Sequence, residues 1–152
     1  MGWPRQLVRH PPVDEAGYNG DMTLTISRAG LDCILAHVRR ELPREACGLL
    51  GGVGGRVMAV YPIPNVAADP FVEFRMDGKA QVDAMVDIEG RGWNILAIYH
   101  SHPCGERSEP SPTDTDRAYY PEALALIVAA DLSVRAFAIR DGRVDEAPIH
   151  VV

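Results

Sequence analysis

The run Asn94-Ile95-Leu96-Ala97-Ile98-Tyr99-His100 is apolar on both faces until its last residue. A strand with no polar face must be covered above and below, so this one belongs at the centre of a sheet. Its polar end, continuing as Ser101-His102-Pro103, is where chemistry can start. The other elements must be arranged around that strand.

From Ser27, residues Leu31, Ile34, Leu35, Val38 and Leu42 recur at steps of three and four, with Ser27 placed to cap and Pro43 to stop the run, which predicts an amphipathic helix. Cys47 to Val53 and Arg56 to Ile63 read as antiparallel strands joined by a glycine-rich turn. After a loop from Pro62 to Pro70, Phe71 to Met76 has strand character and residues 78–91 a helical period. Residues 101–112 form a polar loop, and Thr113 can cap a short helix to about Tyr120. Strands follow over Leu124 to Ala130 and Ser133 to Arg140, and the Asp141-Gly142 turn leads into a last strand between Arg143 and Val152. This order implies an α/β protein of the α+β type, with a mixed, largely antiparallel sheet flanked by helices. Strands and helices do not alternate regularly, so it is not a doubly wound fold.

The chain has 152 residues, enough for one domain, which we place at residues 22–152. Residues 1–21 carry Pro4, Pro11, Pro12, Gly17 and Gly20 without a sustained period and read as a poorly ordered leader; the alternative is that Trp3, Leu7 and Val8 dock on the body as a clasp. Fifteen Lys+Arg against 21 Asp+Glu, a net charge of −6 with no basic run, argues against nucleic acid as a partner. No apolar stretch approaches the roughly 18 residues of a membrane span, and the N-terminus lacks a signal-peptide core, so no membrane partner and a cytoplasmic location are expected. Cys33, Cys47 and Cys104 are too few and too widely spaced for a disulfide framework or a C-x-x-C motif, and are expected to be reduced thiols. Away from the polar loop, His10, His37 and His150 read as surface or local hydrogen-bonding groups, Phe71 and Trp93 as core, and Met76 and Met85 as helix packing.

In an extended backbone, residues two apart point to the same side, so His100 and His102 can share one ion. Asp114 follows twelve residues after His102, past a loop long enough to fold back and add a carboxylate oxygen. Two histidines and one acid with a fourth position open is the catalytic rather than the structural zinc pattern. Each residue alone has a plainer reading. An H-x-H pair recurs by chance, Asp114 suits the first turn of a helix, and Glu45 would be an exposed loop charge.

Together, Glu45 ahead of Cys47-Gly48-Leu49-Leu50-Gly51, then His100-Ser101-His102-Pro103, then Pro110-Ser111-Pro112-Thr113-Asp114, resemble the motif of the JAMM (MPN+) metalloproteases. The resemblance runs over residues 24–152 and includes Asn65, Asp69-Pro70, Phe74, Met76-Asp77, Ile98-Tyr99 and Tyr119 to Ala123. It implies the JAMM/MPN, cytidine-deaminase-like architecture. It also implies one zinc ion held by His100, His102 and Asp114, with water as the remaining ligand. Glu45 would be the general base, Ser111 the donor to the oxyanion, and Ser101 a support for the ligands or the turn. One departure is a loop from Pro103 to Pro110 of eight residues where the family has seven, which makes Asp116 a rival to Asp114. Cys104 in that loop is an adventitious ligand, an oxidation site or a thiol without a role.

The chain is similar to the small bacterial form of the family, which acts on sulfur-carrier proteins. The resemblance therefore implies a zinc isopeptidase cleaving after the C-terminal Gly-Gly of a ubiquitin-like or sulfur-carrier protein, for example releasing cysteine. The extended tail would add as a strand beside a sheet edge. The alternatives are an inactive MPN-type scaffold and a cell-wall or phage-type peptidase of the same family. A zinc deaminase is disfavoured because the P-C-x-x-C ligand pair is absent. The ligand register is testable. Asp114→Asn should weaken zinc binding by at least the roughly tenfold lost when even a supporting residue is removed. Asp116→Asn should leave it intact, and the reverse result in a zinc titration moves the ligand to Asp116.

Overall fold

A computed structural model describes residues 22–105, 109–111 and 122–152. The leader at 1–21, the helix expected from Thr113, and Asp114 and Asp116 lie outside these residues. Within them the order is β1 (Leu24–Ile26), α1 (Arg28–Glu41), β2 (Cys47–Val53), β3 (Arg56–Ile63), α2 (Gly78–Gly90), β4 (Asn94–His102), β5 (Leu124–Ala129), β6 (Val134–Arg140), β7 (Arg143–Ala147) and β8 (Ile149–Val151). The expected first helix and the β2–β3 hairpin are present. Ser27 Oγ accepts from Gly30 N at 3.0 Å, and the hairpin turns on Gly54 and Gly55, both at positive φ, where a side chain would be strained.

The eight strands form one sheet in the order β7-β6-β5-β4-β2-β3-β1-β8. Four of its pairings are antiparallel, and β4–β5, β1–β3 and β1–β8 are parallel. Its outermost strands, β7 and β8, are separated in the chain by Pro148 alone. Two Cα steps reach only about 7–8 Å. The sheet must therefore bend until the end of β7 meets the start of β8, and Leu24 N donates to the Pro148 carbonyl at 2.9 Å, tying that corner to β1. The sequence suggested one strand from Arg143 to Val152. Pro148 divides it because it has no N–H to give to a ladder.

As expected, β4 is covered on both faces. On one side Ala97 and Tyr99 join Leu31, Ile34 and Val38 of α1 in the main core, with Leu24, Leu50 and Leu126. On the other, Ile95 and the partly buried Ile98 pack with Met85 and Ile88 of α2 and with Cys47, Leu49 and Ile63. Gly48 pairs with Tyr99 across β2–β4, and a Cβ there would overlap the Tyr99 ring and the Tyr61 carbonyl oxygen. Only glycine lets that ring cross β2.

Three expectations fail here. Phe71 to Met76 is not a strand; only a single bridge joins Asn65 to Met76, because the Asn65 side chain takes up backbone groups a ladder would otherwise use. Phe71 is accordingly 47% exposed, with no sheet face to cover it, whereas Trp93 packs on the α2 core. His37 is not at the surface, and its partners are not only local: it is buried, its Nε2 lies 3.9 Å from Glu41 Oε1 one turn on, and its Nδ1 lies 2.8 Å from the Tyr99 hydroxyl, 62 residues away.

Burial holds the pKa of His37 below the ordinary histidine value, with Glu41 opposing and Arg40 adding to the shift. The unfolded chain therefore takes up a proton at His37 more readily than the folded one. Its contribution to stability is present above about pH 6.5 and is lost as the pH falls below it. The melting temperature should fall more between pH 7 and pH 5 in the wild type than in His37→Gln, which keeps a hydrogen-bonding group but cannot become an imidazolium. Equal falls would remove His37 as the source.

Candidate metal centre

Two rules of strand geometry assemble the site. Cys47 faces His100 in the antiparallel β2–β4 register, and the pairing runs one residue further, with Ser101 N donating to the Ala46 carbonyl at 3.0 Å. Ala46 N in turn donates to Ser101 Oγ at 2.8 Å, so the central residue of His-Ser-His ties the strand ends together. The next position outward sets Glu45 opposite His102. Because side chains alternate, Glu45, Cys47, His100 and His102 all point to the α2 face, while Ala46 and Ser101 point away.

The three donor side chains converge accordingly. One ligand atom from each of Glu45, His100 and His102 lies within 4.8 Å of the other two. Glu45 and His100 are each only 3% exposed, and His102 is half-buried. Glu45 is therefore not the exposed loop charge that its local sequence suggests. The Nε2 atoms of the two histidines are 3.0 Å apart. Bonds of about 2.0–2.1 Å at a tetrahedral angle put two imidazole nitrogens roughly 3.3 Å apart, so zinc fits this pair with little adjustment. A mixed imidazole and carboxylate set also suits it chemically. Phe74 stacks on His100 at 4.7 Å and 25°, which fixes the imidazole plane.

Cys47 shares the face but has a different task. Its thiol points to the Ile63 carbonyl oxygen at 3.4 Å, and its pKa is pushed up to about 12 by burial and then by the charges of Glu45 and Glu41. It remains a thiol rather than a soft thiolate ligand. Cys104 is exposed, and Ser111 is half-buried at the far end of the loop from His102.

Asn65 is the functional residue whose role the sequence did not disclose. Its Nδ2 donates to the carbonyls of Glu45 and Glu73, and its Oδ1 accepts from Ala67 N and Arg75 N, all at 3.0 Å. Arg44 Nη2 donates to its main-chain oxygen at 2.9 Å, and Glu45 N donates to the Pro70 carbonyl at 2.7 Å. One buried amide thus fastens the main chain of Glu45 to the loop carrying Phe74. Its place between Pro64 and Val66 marks a turn, but its partners lie up to 21 residues away in the chain.

Asn65→Ala would orphan four backbone groups and should destabilise the protein by about 2–4 kcal/mol. Asn65→Asp keeps both acceptor contacts but sets a carboxylate oxygen against the Glu45 and Glu73 carbonyls in a buried place, so at neutral pH it should cost at least as much. Denaturant titration measures both, and a loss below about 0.5 kcal/mol in Asn65→Ala would show that the amide is not the fastener.

Comparison with known proteins shows the family. Residues 27–140 match the family described as prokaryotic homologs of the JAB domain. The chain is 36% identical over 127 residues to the "Probable TtuB-protein conjugate cleaving protease" of Thermus thermophilus, which covers 84% of this chain and 82% of that protein. It is 34% identical over 140 residues to the CysO-cysteine peptidase of Mycobacterium tuberculosis, covering 88% and 94%. A JAB1/MPN domain protein from Archaeoglobus fulgidus superposes with a TM-score of 0.59 at 22% identity, over 86% of this chain and 98% of that one, which speaks for the fold. The chain belongs to the prokaryotic JAB family of JAMM-type proteins.

Proposed function

We propose that this chain is a zinc-dependent isopeptidase that hydrolyses the amide bond after the C-terminal Gly-Gly of a sulfur-carrier or ubiquitin-like protein, and that it works in the cytoplasm. The observation that carries the reading is the convergence of Glu45 with His100 and His102 at the polar end of β4. Relatives that this chain matches over most of their length are a conjugate-cleaving protease and a carrier-cysteine peptidase. Cys33, Cys47 and Cys104 are all free, in keeping with a reducing compartment.

In this proposal His100, His102 and Asp114 would hold the zinc, which would supply Lewis acidity and bring the pKa of water toward neutrality. Glu45 takes the proton from the attacking water and later delivers it to the leaving amine. It is buried, and its main chain is tied to Pro70 and Asn65, which keeps it aimed. Ser111 donates a hydrogen bond to the oxygen of the tetrahedral intermediate. Phe74 and the Ser101–Ala46 pair keep the imidazoles from turning away.

The expected tail binding needs revision. β4 is paired on both sides, by β2 and β5, and the outer strands β7 and β8 close on each other at Pro148, at least three strands from β4. At about 4.8 Å per strand that is some 14 Å from the histidines. The tail therefore does not join the eight-stranded sheet beside the site. It crosses the strand ends, between the 64–76 loop and the segment after His102, where two glycines pass most easily.

The scaffold alternative requires a site that holds no metal, and zinc content decides between the two. After exhaustive dialysis, about one zinc per chain should remain in the wild type and be lost in His102→Ala. Glu45→Gln should keep the zinc and lower the turnover of a Gly-Gly carrier adduct by about 10²–10⁴-fold. Wild-type protein that takes up no zinc even when it is supplied would overturn the hydrolase reading. Undiminished turnover in Glu45→Gln would remove Glu45 from the reaction.

A further inference from the structure

The segment that ends in Ser111 is fastened at a point outside the metal centre. Arg135 of β6 donates through Nε and Nη2 to the two carboxylate oxygens of Glu146 on β7, at 2.8 and 2.7 Å. Its remaining terminal nitrogen, Nη1, donates to Glu109 Oε1 at 2.9 Å. The guanidinium also lies over the Phe137 ring, 5.1 Å from its centroid. Held from one side by a bidentate pair and from below by a ring, it has a set orientation, and its third contact falls two residues before Ser111.

Sheet register relates this clamp to the site. His100 faces Ile127 across β4–β5, and Ile127 faces Arg135 across β5–β6. Residues paired in this way point to the same face of a sheet, so Arg135 rises on the face of His100 and His102, two strands or about 10 Å away. The chain leaving His102 is held at β5 as well: Gly105 N donates to the His102 carbonyl at 3.1 Å, and Ala130 N donates to the Gly105 carbonyl at 3.2 Å. Glu109 belongs to the loop that is one residue longer than the family pattern, so this chain's own loop length comes with its own anchor.

We propose that Arg135 is a positioning residue for the reaction: by gripping Glu109 it sets where Ser111 stands over the histidines. This rests on the hydrolase reading and on the oxyanion role given there to Ser111. Arg135 and both its partners are at least 36% exposed on their side chains, so the ion pairs contribute little to overall stability and their effect is on geometry. A donor displaced by about 1 Å can cost up to 10²-fold in rate.

The test uses the zinc-loaded full chain and a carrier protein whose C-terminal Gly-Gly is amide-linked to cysteine. Arg135→Met and Glu109→Gln should each lower kcat by about tenfold or more, with KM within about twofold and the melting temperature within a few degrees. Ser111→Ala should lower kcat by about 10²-fold. Adding Arg135→Met to Ser111→Ala should then lower it no further, because the clamp would have nothing left to position. Independently of turnover, amide hydrogen exchange in the zinc-free protein should be faster at the N–H groups of Glu109 and Ser111, which flank Pro110, in Arg135→Met and Glu109→Gln than in the wild type. An Arg135→Met loss that persists undiminished in the Ser111→Ala background, or exchange that does not change, overturns the proposal. Failure of the hydrolase reading looks different, as a wild-type chain that turns nothing over, and exchange still decides the clamp in that case.

Discussion

The site depends on the register of β2 against β4. With Cys47 facing His100 and Ser101 bonded in both directions to Ala46, the alternation of side chains brings Glu45, His100 and His102 to one face. A slip of one residue would turn the histidines toward α1 and Ser101 toward the metal side. Gly48 guards the register because its partner, Tyr99, needs the space a side chain would fill. The ring that crosses there reaches His37, so the α1 core holds the same strand from below.

Above this base, buried polar groups do what regular structure does elsewhere. Asn65 replaces a strand neighbour for the 66–75 segment and ties it to the main chain of Glu45, and that segment brings Phe74 against His100. Arg135 serves a similar purpose at the exposed end, where Glu109 and Glu146 meet. Irregular chain can carry site residues accurately only when its backbone groups or side chains are satisfied in this way.

Strand pairing limits how the metal site can be approached. A single proline joins the outermost strands, so the end of β7 lies beside the start of β8. Around the histidines every main-sheet pairing position is already filled, and approach is left to the loops at the strand ends.

Much of this was legible in the sequence. The two-faced apolar run of β4, the capped period of α1, the glycine turn of the hairpin and the identity of the His-Ser-His end follow from local periodicity and turn chemistry, which act over a few residues. The break at Pro148 could have been read from the missing N–H, but not that its two sides lie at opposite ends of the sheet. The burial of Glu45, the reach of Asn65, the link from His37 to Tyr99 and the grip of Arg135 on Glu109 join residues 20 to 62 positions apart in the chain. By itself the sequence determined which residues could do chemistry and which strand would carry them. Only the tertiary structure decided which were brought together and what held them, because register, sheet closure and the pairing of buried polar groups are properties of distant segments in contact.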